Sequence, residues 1–168
     1  MKPQDILVAL KIISLKGEPW TQAALAASLL ISPSEVSSVF ERLKESGFIN
    51  QTKNNINTQA FREFLIHGLK YVFPPKLGTK VRGIATAHSA SPIKEFISEG
   101  EDILVWKSAN GNRRGLSVDP LYKTVPKIIT TDSSLYELLV IVDTLRIGRV
   151  REIEVAINEL DKRLEYVS

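Results

Sequence analysis

Apolar residues recur at helical spacing over residues 3 to 16. There Ile6, Leu7, Leu10 and Ile13, with Val8 and Ile12 beside them, form a broad apolar stripe. Gly17-Glu18-Pro19 ends it. Ala23 to Ala27 then predict a short helix capped by Thr21, with Trp20 placed to staple onto Leu25. Ser32 caps the next helix. Pro33 stands at its first position, Glu35 completes a capping box, Val36, Phe40 and Leu43 give its inner face, and Gly47 stops it. Two short helices with a tight turn and a polar outer face on the second are the pattern of a helix-turn-helix.

Further along, Phe48 to Asn50 has strand character, followed by a polar loop at residues 51 to 55, so any wing is a stub. Asn57 or Thr58 caps a helix over residues 58 to 72, with Phe61, Phe64, Leu65, Gly68, Leu69 and Val72 on one face. Residues 74 to 92, rich in proline and small side chains, read as an extended irregular arm, and residues 93 to 98 as a helical turn. Residues 103 to 107 and 114 to 118 flank Asn110-Gly111, a turn signal that predicts a β-hairpin. A turn follows around Leu121 to Val125, interrupted by Pro126. Two helices end the chain. Leu135, Leu138, Val142 and Leu145 line the first. After Gly148, Val150, Ile153, Ile157, Leu160, Leu164 and Val167 line the second, a short heptad seam suited to a helical hairpin or a dimer bundle. The expected fold class is mainly α within α+β. Residues 1 to 73 form a helix-turn-helix domain, and residues 74 to 168 supply the arm, hairpin and helical pair.

Charge sharpens this pattern only through its distribution. The chain of 168 residues has a net charge of +3. Residues 58 to 94, however, carry six basic side chains against one acidic, whereas residues 133 to 168 carry five against seven. The basic excess follows the helix-turn-helix, where phosphate contacts help most. No apolar run is long enough for a membrane span, and the first residues, broken by Asp5, Lys11 and Lys16, do not make a signal peptide. The absence of cysteine removes disulfide and thiolate chemistry and fits a cytoplasmic setting. His67 and His88 are too few for a structural zinc site and are ordinary packing or surface residues. No phosphate loop, nucleophile elbow or catalytic constellation is present, so the expectation is a non-enzyme with no cofactor and no metal.

The stretch from about residue 5 to 57 resembles the winged helix-turn-helix regulators of the MarR-like group. Thr21, Leu25, Ala26, Leu29, Ile31, Ser32, Val36, Leu43, Gly47 and Ile49 carry the resemblance. It implies a homodimer on double-stranded DNA, acting as a transcriptional repressor, with one recognition helix per half-site. Carried over by residue, Ser34, Ser37, Ser38 and Arg42 face the major groove from the helix capped by Ser32. Thr21 and Gln22 meet phosphates, and Lys44, Lys53 and Asn54 add backbone contacts. Two features depart from the family pattern: Leu30 stands where a glycine is frequent, and the recognition helix is poor in Arg and Lys. The arm cations Lys76, Lys80 and Arg82, with Lys70 upstream, are expected to supply part of the missing grip. Arg113 and Arg114 mark either a second wing or a plain hairpin with a basic tip. A different class also fits, an antitoxin-type protein that neutralises a toxin through its C-terminal half and regulates its own operon.

Overall fold

The computed structural model describes residues 1–52, 54–98, 100 and 102–165. Lys53, which the sequence places in the wing loop, and Val167 of the heptad seam lie outside the described residues.

Helix α1 (Pro3–Ser14) is apolar almost all round, and Asp5 through Leu10 are wholly removed from solvent. It is buried because α3 (Pro33–Glu45) and α7 (Ser133–Ile147) both pack on it. Helix α2 (Gln22–Leu29) is capped by Thr21, whose hydroxyl accepts from the Ala24 N–H at 3.1 Å. Trp20 stacks on Phe40 of α3, with ring centroids 5.3 Å apart. Strands β1 (Ile49–Asn50) and β2 (Asn55–Ile56) pair antiparallel as a two-residue stub. Asn57 caps α4 (Thr58–His67) through the Ala60 N–H. The helix expected over residues 58 to 72 breaks at Gly68 and resumes as the single turn α5 (Leu69–Val72).

The middle of the chain differs most from the sequence expectation. Residues 77 to 85 are not an irregular arm but the nine-residue strand β3 (Leu77–Ala85). The expected hairpin does not form either. Strands β4 (Leu104–Lys107) and β5 (Arg113–Val118) each pair antiparallel with β3, and they run parallel to each other. β4 covers the C-terminal part of β3, from Ala85 back to Gly83. β5 takes over on the other edge, from Gly83 back to Leu77. The three strands curl into a closed sheet. Residues 108 to 112 carry the chain past Gly83 instead of turning it back. A Cβ on Gly83 would overlap the Trp106 carbonyl, and one on Gly111 would overlap the backbone of Gly83. The Asn110-Gly111 signal thus marks a tight turn, in which the Gly111 N–H donates to the Ser108 carbonyl at 3.1 Å, and a close backbone approach, but not a hairpin.

Pro126 opens the short helix α6 (Val125–Ile128) from its first turn, where its missing N–H costs nothing. α7 then runs through the centre of the molecule. Every residue from Leu138 to Arg146 is buried, with α1, α4 and α5 among its neighbours and α8 (Val150–Glu165) laid along it. The α7–α8 pair is the expected helical hairpin. Its seam is filled by Ala156, Leu160 and Leu164 of the same chain, while Val150 stays exposed. One apolar cluster runs from Ile6 of α1 to Leu164 of α8, so residues 1 to 73 and 74 to 168 share a core. At about 25 cal/mol per Å² of apolar area, this shared burial is the main term holding the halves together.

Two buried carboxylates fix the geometry. Asp143 of α7 accepts from the Thr86 hydroxyl at 2.7 Å, the Trp106 indole N–H at 2.8 Å and Arg146 at 3.0 Å. Burial pushes its carboxyl up, against the pull of Arg146 and the two neutral donors. Arg146 also donates to the Phe73 carbonyl at 2.9 Å, which ties the sheet and the end of α5 to α7. Asp5, fully buried in α1, does the same for α3 through Arg42. No single helix among the described residues is long and apolar enough to cross a membrane.

Candidate functional site

Helices α2 and α3 are joined by the three residues Leu30 to Ser32, and their axes differ in direction by 112°. That angle and turn length are those of a helix-turn-helix. The turn is made by Leu30 in the left-handed region, at φ 54 and ψ 43, the position where a glycine is frequent. Its side chain is 57% exposed, so packing does not compensate for the backbone cost.

Helix α3 divides cleanly into two faces. Val36, Val39, Phe40 and Leu43 are buried, whereas Ser34, Ser37, Ser38, Glu41, Lys44 and Glu45 are exposed. Ser32 caps the helix by accepting from the Glu35 N–H at 3.2 Å. The capping box is only half formed, because the Glu35 carboxylate takes hydrogen bonds from Gln4 and Arg42 instead of returning to Ser32. The Ser38 hydroxyl donates back to the Ser34 carbonyl at 3.2 Å, and the Ser34 hydroxyl lies 3.2 Å from that of Ser32. Ser37 is the serine of this face whose hydroxyl makes no such local bond among the described residues.

Arg42 departs from the expected role. Its Nε and guanidinium nitrogens lie 2.8 to 3.0 Å from Asp5 and its Nη2 3.0 Å from Glu35. The hydrogen bond to Asp5 is the largest reason its pKa is raised, against the opposing effect of burial. The guanidinium thus holds α3 against α1 and does not project from the exposed face of α3. Lys44 is exposed and pairs with Glu41 at 3.1 Å, a surface pair of little energetic weight. Thr21 and Gln22 are exposed at the start of α2, and Asn54 is exposed in the β1–β2 turn with φ 51.

A second polar surface lies on the curled sheet. Lys76, Lys80 and Arg82 are exposed, the last two on one face of β3 by strand alternation. Arg82 stands directly across from Arg114 of β5. Arg82, Gly111, Asn112, Arg113 and Arg114 line an open hollow of about 290 Å³. The sequence marked Arg113 and Arg114 as a basic tip; it did not indicate that the chain brings Arg114 against Arg82. The Asp5 and Asp143 networks were missed altogether, although Asp143 had a signal as a lone acid within a long apolar run, and Asp5 is the one acid before Glu18.

Among the described residues, no group of three or more His, Cys, Asp or Glu side chains is arranged to hold a metal ion. The chain matches no family model, and neither curated proteins nor solved structures give a match.

Proposed function

We propose that the protein binds double-stranded DNA in a sequence-specific manner, as a homodimeric transcriptional regulator of the winged helix-turn-helix type. The observation that carries this reading is α3 itself. It has a fully polar exposed face, is rigidly seated by Val36, Val39, Phe40, Leu43 and the Arg42–Asp5 pair, and is turned 112° from α2. Ser34, Ser37 and Ser38 are short side chains that accept and donate, which suits close approach to base edges. With Arg42 spent internally and Lys44 paired with Glu41, α3 brings almost no attraction for phosphate. That attraction falls to Lys76, Lys80, Arg82 and Arg114 on the sheet.

The α7–α8 seam is filled within the chain, so the homodimer of this reading uses another surface. Tyr71, Val72 and Leu77, large apolar residues exposed near the α5–β3 junction, are the candidates. Repeated selection of random duplexes on the protein tests both parts. A recovered motif with two-fold symmetry and half-sites about one DNA turn apart is the expected result. Recovery of no common sequence would overturn the regulator reading, and light scattering that gives a monomer on the selected duplex would remove the dimer.

A further inference from the structure

Arg82 and Arg114 face each other across the β3–β5 ladder. Residues directly opposite on neighbouring strands place their side chains on the same face within a few ångströms, and like charges there repel. Neither side chain has an acidic partner or hydrogen bond among the described residues. Lys80, two residues along β3 on the same face, adds a third exposed cation. The ladder therefore holds together charges that destabilise it, and it does so beside a hollow. The wall of that hollow is fixed by a backbone contact, since Gly111 lies against Gly83 too closely for any side chain. Asn112, exposed at the rim, offers further donors. Arg113 also lines the hollow.

We infer that this hollow is a phosphate-binding site, in which the guanidinium groups of Arg82 and Arg114 close from two sides on the oxygens of one phosphoryl group. Two planar forks match a tetrahedral oxyanion, and the bound anion cancels the repulsion that the empty ladder carries. The inference stands whether or not α3 contacts DNA. The phosphoryl group belongs either to the DNA backbone or to a small phosphorylated molecule.

Titration with inorganic phosphate at constant ionic strength, followed by phosphorus NMR and calorimetry, tests the site. The natural protein should give a saturable isotherm. Arg82→Gln with Arg114→Gln should weaken it about tenfold or more. Arg114→Lys, which keeps the charge but loses the fork, should fall between. In low salt the double variant should unfold no earlier than the natural protein, because removing the pair relieves repulsion. Phosphate affinity equal in the natural and double-variant proteins, or phosphate binding no better than chloride, would overturn the site. Adding duplex DNA to the phosphate-loaded protein then assigns the source. Release of phosphate identifies the DNA backbone, and retention identifies a small phosphorylated ligand.

Discussion

The two polar surfaces of this protein use arginine in opposite ways. On α3, Arg42 is drawn back to Asp5 and Glu35, and the exposed face is left to serines and a Glu41–Lys44 pair. On the curled sheet, Arg82 and Arg114 are exposed and face each other, without an acidic partner among the described residues. A cation that ends on a buried carboxylate determines how an element is positioned. A cation left beside another cation at the surface is available to something outside the chain. On the proposed reading, position and attraction come from different parts of the molecule. Arg42, which the sequence assigned to the groove, belongs to the first kind.

Substitutions should separate the two kinds of arginine. The largest effect should come from Asp143→Ala, which strands Arg146 at 5% side-chain exposure together with the Trp106 and Thr86 donors. Denaturant titration should record a loss of about 3–5 kcal/mol. Arg42→Ala leaves Asp5 buried without its partner and should cost about 2–3 kcal/mol by the same measurement. If the contrast holds, Arg82→Ala and Arg114→Ala should each stay within about 0.5 kcal/mol of the natural protein. They should also lower the slope of log affinity against log salt by roughly one per contact. An Arg42→Ala protein of undiminished stability would erase the distinction.

Smaller effects sharpen it. Leu30→Gly removes the left-handed strain in the turn while losing little packing, and should raise stability by about 0.5–1 kcal/mol. On α8, burial pushes the Glu159 carboxyl up, but hydrogen bonds from Lys162 and Arg163 outweigh it, so its pKa falls below the ordinary 4.5. The unfolded chain therefore holds more protons between the two values. The stabilisation is complete above the ordinary value and is lost as pH falls through the folded one. Glu159→Gln should flatten the acid limb of a stability profile below about pH 5, leaving the midpoint at neutral pH to report the lost ion pairs alone.

How much of this was legible depended on the range of the forces involved. Thr21, Ser32 and Asn57 act within three residues of themselves, so the caps could be read from the sequence, and each was found where expected. The apolar spacing of α1, α3 and α7 reported burial directly, whereas on α8 Leu160 and Leu164 are buried, Ile153 and Ile157 are half-buried and Val150 is exposed. β3 was hidden because its composition, rich in Gly, Lys and small residues, carries no alternating apolar face. Its pairing comes from β4 and β5, whose partner residues lie 20 or more positions downstream. The Asn110-Gly111 pair does make a turn, but the hairpin expected from it gives way to the pairing of both flanking strands with β3. The exposed serines could be placed on α3 from spacing, whereas the fate of Arg42 depended on Asp5, thirty-seven residues earlier.

On the proposed reading, α3 meets DNA through a face that carries no essential packing. The most direct test is duplex affinity of Ser37→Glu with Ser38→Glu, measured by fluorescence anisotropy on the selected duplex alongside the denaturation midpoint. Both positions are exposed, so the fold should be unchanged to within about 0.5 kcal/mol. Two carboxylates turned toward phosphate should weaken binding by about tenfold or more. Affinity equal to that of the natural protein, with the fold intact, would contradict the account.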